Sequence, residues 1–373
     1  MSESLQSILG AETLAAFEAG GPVASGLPGA AYTSEAFLAL ENERIFADSW
    51  VFAGFAHELS RPGDITPVTV AGRPLLLVRD PELRVRAFHN VCRHRNLKLV
   101  DTPGNVGRAI RCPYHSWTYG LDGVLHVTPY FGGREPRAVP PGFDRGRHGL
   151  VPVRSETWHD WIFVNLSGSA PPLDEFVAPL RNRLEGVDLS RARHVVTIDF
   201  GEVAANWKLI VENFIEPYHV QFVHATTTEQ PLIDHYTVSD RGCLGCAVDV
   251  SGEATREDTL AADSRYLTLF PNFVFGLYLP DEIGVQLNVP LAPDRTVQRR
   301  AIYRLGPESR LESDARAEEL TKLWRGVHAE DHAMLERLQQ GRVSEVAAGG
   351  GVLSPVWEEA VRSFQERVVS ALS

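Results

Sequence analysis

Apolar and polar positions follow two different rhythms along this chain. Between residues 57 and 160, short runs of β-forming residues alternate with turns such as Arg61-Pro62-Gly63-Asp64. Short apolar runs bounded by Gly, Pro and Asp are typical of strands and loops, so this segment is predicted to be a β-rich domain. Residues 1–56 are predicted to contain a helix capped near Ser34 and then a strand at Trp50-Val51-Phe52, and to pack with the C-terminal domain.

From residue 161 to 373, strands are grouped between two long helical stretches. Alternation of apolar residues predicts strands over 272–279, 285–291 and 297–304, and a period near 3.6 predicts helices over 204–219 and 312–340. Strands grouped without β-α-β alternation indicate an α+β fold. The predicted domains are therefore 1–56, 57–160 and 161–373.

One charge interrupts the apolar face of the second helix. That face carries Leu320, Leu323, Trp324, Val327, Met334, Leu335 and Leu338. Asp331 falls in its middle, four residues after Val327 and three before Met334. A buried carboxylate requires a cation or a hydrogen-bond network. A salt bridge to an Arg, an N-cap or a metal ion would each satisfy it.

The first helix offers further candidate ligands. Its apolar stripe is expected to be Trp207, Val211, Phe214 and Tyr218, with Glu212, Glu216 and His219 on roughly the opposite face. His224 follows His219 by five residues, a rotation of about 140° on a regular helix, so joint coordination needs an irregular turn near Pro217. A His/His/carboxylate group can hold a reactive ferrous ion, whereas a Glu-x-x-His pair alone also suits a solvated helix face.

Two short groups of cysteine and histidine lie in the β-rich domain. They are Cys92-Arg93-His94 and, after seventeen residues, Cys112-Pro113-Tyr114-His115. Two thiolates and two imidazoles in this spacing can hold a 2Fe-2S cluster, with sulfur on one iron and nitrogen on the other. Such a set can also bind structural zinc, but zinc sites usually place the two cysteines together and the two histidines together. The interleaved order favours the cluster.

Composition and charge narrow the class of protein. With 36 basic and 48 acidic residues the net charge is −12, which argues against nucleic-acid binding. No apolar run is long enough to span a bilayer, and Met1-Ser2-Glu3-Ser4 lacks the basic region of a signal peptide, so a cytoplasmic protein without a membrane partner is expected. Four cysteines suit a reducing compartment. The C-x-x-C formed by Cys243 and Cys246 has no matching second pair and is interpreted as structural.

Electrons for a cluster are expected from outside the chain. No G-x-G-x-x-G follows a strand and no P-loop occurs in the sequence, so the chain shows no nicotinamide or flavin site. The expected source is NAD(P)H, through a separate reductase or ferredoxin. A group of basic residues beside the two Cys/His pairs is either a landing surface for an acidic donor or a solvated rim: Arg93, Arg95, Lys98, Arg108 and Arg111.

Over nearly its whole length the chain resembles the oxygenase (alpha) component of the Rieske non-haem iron oxygenases. The resemblance is carried by His89-Asn90-Val91-Cys92-Arg93-His94-Arg95, Cys112-Pro113-Tyr114-His115-Ser116-Trp117, Asn206-Trp207-Lys208, Glu212-Asn213, Glu216, Tyr218-His219, His224, and Glu330-Asp331 with Glu336 and Gln339.

The resemblance implies two separate iron sites. Cys92 and Cys112 would hold one cluster iron, His94 and His115 would hold the other, and a mononuclear Fe(II) would be bound by His219, His224 and Asp331. It also implies a helix-grip catalytic domain, in which an antiparallel sheet wraps around a long helix. In the family, the metals that cooperate belong to neighbouring subunits of a trimer, bridged by the acid that Glu216 matches.

One departure from the family pattern indicates a branch and a function. Many multi-component ring dioxygenases carry Asp where this chain has Glu216, in a loop one residue longer; the shorter variant resembles the compact alpha-only oxygenases of carnitine and betaine and implies no beta subunit. The expected activity is hydroxylation, or oxidative dealkylation, of a small organic substrate such as a quaternary ammonium or N-alkyl compound, using O2. The alternatives are an aromatic ring-hydroxylating dioxygenase or an O-demethylase acting on an aromatic acid, and, more distantly, a zinc-stapled binding protein without redox activity.

Candidate residues for the substrate pocket are aromatic. They are Phe222, Tyr236, Phe270, Phe273, Phe275 and Tyr278. Aromatic side chains can cage a quaternary ammonium group through cation–π contacts or enclose an aromatic ring. The alternative is that most of them form the core of the sheet.

Overall fold

A computed structural model describes residues 4–21, 23–225, 230–249, 263–306 and 314–373. It divides the chain into two compact units, one formed by Met1–Ile45 with Asp174–Ser373 and the other by Phe46–Leu173. The N-terminal helices therefore belong to the same unit as the C-terminal part of the chain. They are α1 (Leu5–Leu9), α2 (Ala11–Ala19), α3 (Ala30–Thr33) and α4 (Glu35–Arg44). As the sequence predicted, the Ser34 hydroxyl caps α4 by accepting from the Phe37 N–H at 3.3 Å.

The unit Phe46–Leu173 is built of strands. They are β1 (Val51–Phe55), β2 (Asp64–Val70), β3 (Arg73–Arg79), β4 (Val85–His89), β5 (Gly104–Asn105), β6 (Ala109–Arg111), β7 (Thr118–Gly120), β8 (Leu125–Val127), β9 (Pro152–Trp158) and β10 (Trp161–Asn165). Described strands form one sheet in the order β1-β10-β9-β4-β3-β2-β5 and a smaller one in the order β6-β7-β8. Strand β1 pairs antiparallel with β10, and both belong to this unit. The sequence pattern placed the domain limits after residues 56 and 160, and those limits stay a prediction.

The other unit combines an antiparallel sheet with helices. After α5 (Leu173–Arg183) come β11 (Ala192–Val203), α6 (Trp207–Ile215), α7 (Val220–Val223), β12 (His235–Asp240), β13 (Cys243–Asp249), β14 (Asp263–Leu269), β15 (Phe273–Tyr278), β16 (Glu282–Ala292), β17 (Arg295–Leu305), α8 (Asp314–Gly341) and α9 (Glu359–Leu372). Short 3₁₀ helices lie at Ala56–Leu59, Arg145–His148, Leu189–Arg191, Leu232–Asp234 and Glu345–Gly349. The described strands are ordered β11-β17-β16-β15-β14-β13-β12, with α8 packed on β11, and α6 on β13, β14 and β16. The predicted α+β class and helix-grip arrangement are confirmed.

Two details of the helices differ from the sequence prediction. The first predicted helix ends at Ile215 instead of continuing to residue 219, because Pro217 disfavours helical geometry at the preceding residue and Glu216 is extended (φ −116°, ψ 143°). Trp207 and Val211 are buried as expected, but Tyr218 lies beyond the helix and is 43% exposed. The predicted start of the second helix lies outside the described residues, and its end agrees with α8 to within one residue. Among the described helices, none combines the length and apolar composition needed to cross a bilayer.

A fully buried ion pair anchors α6. The Lys208 ammonium lies 2.7 Å from Glu41 Oε1 on α4, and both side chains are 0% exposed. Burial raises the pKa of Glu41 and lowers the pKa of Lys208. The charge of each residue partly reverses the pKa shift that burial causes in its partner. The Trp207 indole N–H donates to the second Glu41 oxygen at 3.1 Å, and the ammonium lies about 5 Å from the ring of Phe37. Since neither charge has access to water, each depends on its partner.

We expect Glu41→Ala to lower the free energy of unfolding of this unit by about 3–5 kcal/mol, because it leaves a buried ammonium without its counter-ion. Urea denaturation followed by circular dichroism measures the loss. Glu43→Ala on the same helix is the matched control, since Glu43 is exposed, and should change stability by less than about 0.5 kcal/mol. Equal effects of the two variants would show that the pair contributes nothing. The double change Glu41→Leu with Lys208→Met should recover much of the loss.

Candidate metal centres and substrate cavity

Two histidines flank a single helical turn. His219 is the N-cap residue of α7 and His224 is its C-cap residue. The break after α6 precedes both histidines, which lie at the two ends of the short helix α7. The two rings lie 5.3 Å apart between centroids, at an interplanar angle of 76°. One ring nitrogen of each and one carboxylate oxygen of Asp331 lie within 4.8 Å of one another.

Two carboxylates orient these imidazoles. Glu216 Oε1 lies 2.5 Å from His219 Nδ1, and Glu330 Oε2 lies 2.7 Å from His224 Nδ1. A carboxylate accepts, so each Nδ1 carries the proton and each Nε2 is left with its lone pair. Both Nε2 atoms face Asp331 Oδ1, at 3.6 Å for His219 and 3.1 Å for His224. The sequence analysis treated Glu330 only as part of the motif beside Asp331; its orienting contact with His224 could not be read from spacing along the chain.

Asp331 is a buried acid that faces the two imidazoles and the Asn213 side chain. Its Oδ1 is shielded from water and makes no hydrogen bond to the described residues. No Lys or Arg of the described ranges lies within ion-pair distance, so the salt bridge considered from the sequence is not seen there. Burial would raise the pKa of Asp331, but the two imidazoles hold it below its usual value. Burial lowers the pKa of His224, but Asp331 and Glu330 raise it more. Two lone pairs and a carboxylate oxygen therefore converge on one point that favours positive charge, which fits a divalent metal ion.

A cavity of about 350 Å³ opens beside these three residues. Of the six predicted pocket residues, Tyr278 lines it and the others do not. Phe273 and Phe275 are 1% and 0% exposed in the sheet core. The Phe270 ring packs on Phe364 of α9, 5.7 Å away.

The two other predicted pocket residues lie at the surface. Phe222 is 68% exposed, and Tyr236 is 46% exposed with its hydroxyl 2.5 Å from Asp263 Oδ2. Side chains that the sequence analysis did not assign to the pocket line the cavity instead. They include Phe214, Tyr266, Arg300, Trp324 and His328.

A neutral polar chain runs behind the cavity wall. His328 Nδ1 donates to Gln298 Oε1 at 3.0 Å, and Gln298 Nε2 donates to Gln286 Oε1 at 3.1 Å. Burial lowers the pKa of His328 well below its usual value, and the nearby Arg300 lowers it further. His328 is therefore uncharged, with its Nε2 as an acceptor. The ring stacks on Phe200 at 4.0 Å between centroids.

The two Cys/His pairs occupy matching loops in the other unit. The Cys92 N–H donates to the Leu97 carbonyl and the Cys92 carbonyl accepts from Asn96 N–H; Cys112 repeats both bonds with Trp117 and Ser116. Asn96 and Ser116 have the same left-handed conformation, with φ 58° in each. The two loops therefore present their side chains in equivalent ways.

These loops bring two thiols and two imidazoles together. Cys92 and Cys112 are 1% and 2% exposed and are not disulfide-bonded. The His94 and His115 rings lie 4.6 Å apart. Burial and the neighbouring Cys112 raise the pKa of the Cys92 thiol, although the Tyr119 hydroxyl, 3.3 Å from the sulfur, opposes this. Two buried sulfurs side by side ionise only with nearby positive charge, which a bound metal supplies. The donor set therefore fits a metal cluster.

The remaining cysteines lie outside both donor sets, but Cys246 is among the residues that line the cavity. Cys243 and Cys246 both lie on β13, and residues three apart on a strand face opposite sides of the sheet. Both thiols are buried and unpaired, and burial raises the pKa of Cys243 to about 12. This arrangement agrees with their interpretation as structural residues.

Comparison with known proteins identifies both units. Residues 49–136 match the model of the Rieske [2Fe-2S] domain, and residues 187–373 match that of the ring hydroxylating alpha subunit (catalytic domain). A Rieske domain followed by this catalytic domain defines an iron-dependent oxygenase component. The chain belongs to the ring-hydroxylating alpha subunit family.

Relatives of the chain have known substrates. The glycine betaine monooxygenase oxygenase subunit of Pseudomonas aeruginosa (strain UCBPP-PA14) is 37% identical over 199 residues, which cover 53% of this chain and 44% of that protein. The carnitine monooxygenase oxygenase subunit of Acinetobacter pittii (strain PHEA-2) is 29% identical over 364 residues, covering 93% of this chain and 94% of that protein. The structure of the quaternary ammonium Rieske monooxygenase CntA in complex with L-carnitine has a TM-score of 0.78 at 25% identity, covering 95% of this chain and 97% of that chain. The match therefore spans less than half of the glycine betaine relative and nearly all of the carnitine relative.

We expect Asp331→Ala to lose the mononuclear metal while the visible spectrum of the cluster is retained, because the two donor sets share no residue. Iron analysis with absorption spectroscopy measures both. Glu318→Gln, an exposed position on the same helix, is the control and should keep its iron, and Glu336 stays with Glu330 as an alternative third ligand. His94→Ala should give the reciprocal result, with the visible absorption lost and the mononuclear ion retained. Full iron content in Asp331→Ala would mean that another carboxylate, such as Glu330, is the third ligand.

Proposed function

We propose that this chain is the terminal oxygenase of a multi-component monooxygenase that hydroxylates, or oxidatively dealkylates, a small organic substrate such as a quaternary ammonium or N-alkyl compound. The observation that carries the proposal is the convergence of two imidazole nitrogens and a carboxylate oxygen without a hydrogen bond to the described residues, beside a cavity of about 350 Å³. The names of the relatives support the substrate class. An aromatic ring-hydroxylating dioxygenase or an O-demethylase of aromatic acids is the second candidate, supported by the aromatic cavity walls.

The metal groups divide between the two donor sets. Cys92, His94, Cys112 and His115 would hold the 2Fe-2S cluster, and His219, His224 and Asp331 would hold Fe(II). When bound, the cluster supplies single electrons and the ferrous ion, with coordination positions left open by three ligands, supplies O2 activation. Glu216 and Glu330 hold the protons on the Nδ1 atoms, which keeps both Nε2 atoms available.

An external reductase or ferredoxin is the proposed electron source, fed by NAD(P)H. All five basic residues beside the Cys/His pairs are exposed: Arg93, Arg95, Lys98, Arg108 and Arg111. The Lys98 ammonium lies 3.1 Å from Asp101 Oδ1, which partly neutralises its charge. The Arg95 guanidinium carbon lies 5.5 Å from the centroid of the Tyr114 ring. Exposed positive charge around a redox centre suits an acidic donor protein through electrostatic steering. The proposed location is the cytoplasm, where such donors and unpaired thiols coexist.

The proposed assembly is a homotrimer without a beta subunit. In this arrangement Glu216 would bridge His219 to a cluster histidine of the next subunit, as the family resemblance implies. Within its own chain Glu216 accepts from the backbone N–H groups of Tyr218 and His219 and from His219 Nδ1. A carboxylate has about four acceptor positions, so one further donor can be accommodated.

A substrate panel tests the proposed function. The holoenzyme with a surrogate reductase is offered alkylammonium compounds and aromatic acids, and O2 consumption and product formation are measured. Turnover of an alkylammonium compound supports the proposal, and turnover of aromatic acids alone favours the second candidate. Stoichiometric zinc, no sulfide and a colourless protein would instead indicate a zinc-stapled binding protein.

We expect Glu216→Gln to keep both metal sites and to lower steady-state O2 consumption by about 100-fold, because glutamine keeps the size but loses the charge and the capacity to accept from two imidazoles. Glu330→Gln is the matched control, since Glu330 makes the same contact with His224 but is assigned no bridge; it should lose much less activity. Single-turnover spectroscopy of pre-reduced protein locates the defect. Cluster oxidation at the wild-type rate in Glu216→Gln would show that Glu216 is an ordinary surface acid.

A further inference from the structure

Aromatic rings continue from the candidate cluster site to the surface of its unit. The His94 ring lies parallel to the Trp117 indole, with 4.9 Å between centroids and 9° between planes. Trp117 is 2% exposed and contacts Phe131 at 5.1 Å and Phe143 at 5.8 Å between ring centroids. Phe143 in turn packs on His148 at 4.6 Å, and His148 is only half-buried. Four packed rings thus join one candidate cluster ligand to the surface, and with that ligand they form the ring stack.

The outer end of the ring stack is fixed by the 3₁₀ helix Arg145–His148. Asp144 caps this helix, since its carboxylate accepts from a backbone N–H of the first turn at 2.8 Å. His148 Nδ1 lies 2.7 Å from the Asp144 carbonyl and donates to it, which fixes the orientation of the ring. Phe143 precedes the helix, and its ring lies 4.8 Å from that of Phe131 in the preceding loop. Helix and loop therefore meet at the ring stack.

Arginines lie on both segments that meet at this end of the ring stack. Between residues 130 and 148 the chain has four arginines and two acids, although its overall net charge is −12. The four arginines are here called the basic face: Arg134, Arg137, Arg145 and Arg147. Arg145 is half-buried and the other three are exposed. None of the four makes an ion pair with a side chain of the described ranges, so their charge is available to an acidic partner.

The basic residues beside the Cys/His pairs differ in this respect. They are called the basic rim: Arg93, Arg95, Lys98, Arg108 and Arg111. The Lys98 ammonium is paired with Asp101 at 3.1 Å. Arg95 and Arg111 each donate to a neighbouring hydroxyl group, at 3.3 and 2.9 Å. A partner protein would compete with these contacts on the basic rim, whereas the arginines of the basic face have no such contact among the described residues.

We propose that the basic face docks an acidic one-electron donor protein and that the electron reaches the cluster through the ring stack. The proposal rests on the proposed function and specifies where the external donor binds. The redox centre of the donor loses one electron, the cluster gains it, and no bond forms or breaks. Packed rings shorten the gaps that the electron crosses, and electron transfer slows steeply as such gaps widen. An excess of arginines attracts an acidic partner and orients it over the outer end of the stack.

Reduction of the holoenzyme by a plant-type [2Fe-2S] ferredoxin, an acidic one-electron donor, tests the docking surface. Stopped-flow absorption follows reduction of the cluster, and isothermal titration calorimetry of the oxidised proteins measures their affinity. The rate constant of the wild type should fall by at least about tenfold between low salt and about 0.5 M KCl, because salt screens the attraction. A rate constant that does not depend on salt would overturn the proposal.

Charge reversal locates the contact. Arg147→Glu should lower both the rate constant and the affinity at low salt by about tenfold, because a repulsive charge replaces an attractive one in the interface. Arg73→Glu is the matched control: Arg73 is exposed in the same unit, at the start of β3, and its reversal should cost less than about twofold. Arg108→Glu tests the basic rim. A loss in Arg108→Glu that equals or exceeds the loss in Arg147→Glu would place the donor on the basic rim and overturn the proposal.

Phe143→Leu tests the ring stack, because it removes the ring between Trp117 and His148 and keeps an apolar side chain. The rate of cluster reduction at saturating ferredoxin should fall several-fold, while the affinity and the midpoint potential of the cluster stay unchanged. A purely structural role of Phe143 would shift the potential or the visible spectrum instead. Phe163→Leu, in the core of the seven-stranded sheet on β10, is the control and should change none of these quantities. Equal saturating rates in Phe143→Leu and the wild type would overturn the proposed route.

Iron and sulfide analysis of the same preparations separates this proposal from the proposed function. A protein without a cluster would contradict the proposed function and this proposal together. A cluster whose reduction is impaired most by Arg108→Glu would contradict the docking surface alone and leave the proposed function standing. Since Arg147 and Arg108 are exposed, the docking test does not depend on the folding of Phe143→Leu.

Discussion

The buried ion pair between Glu41 and Lys208 is the constraint on which the catalytic unit depends. Burying two charges side by side costs more desolvation than a pair of apolar residues would, so its value lies in allowing only one position of α6 against α4. The end of α6 then determines where Glu216 and His219 can lie. From there, α7 carries the chain to His224, and α8 supplies Asp331. A shift of α6 by one residue would break the Glu41–Lys208 pair. The same shift would move His219 away from the other candidate ligands.

Three carboxylates, Glu216, Glu330 and Asp331, are concentrated around the candidate mononuclear site. Glu216 and Glu330 are held by imidazole N–H groups, but Asp331 Oδ1 is left without a bond. Since an ion that binds only the folded arrangement adds its binding free energy to folding, the metal and the local fold stabilise each other. The active site is thus also a structural element of this unit.

The sequence located side chains that the structure brings together at the candidate metal sites better than it located the pocket residues, and the reason is physical. Cys/His spacing and a single acid in an apolar stripe are local signals, and the structure brings each predicted donor set together. Aromatic residues on strands carry no such signal, because composition does not tell which side of the sheet a side chain faces. Phe273 and Phe275 therefore lie in the core, whereas Tyr278 lines the cavity. The consecutive residues Arg299 and Arg300 could have indicated a buried arginine from the sequence. Neighbouring residues on a strand face opposite sides of the sheet, so one of the two had to face the interior of the unit.

Gly276 on β15 and Gly284 on β16 are paired directly in the sheet, and this pairing has a consequence for how the protein can diverge. Substrate range in most pockets changes through the side chains that touch the ligand, each of which also has packing duties. At these two positions the sheet offers only backbone, and a methyl group at Gly276 or Gly284 would displace the Tyr278 hydroxyl or the Arg300 guanidinium, whose side chains line the cavity. A single-nucleotide change in a glycine codon would then alter the shape of the cavity while the candidate iron ligands are unchanged. The chemistry of the site can therefore be conserved while its substrate range changes.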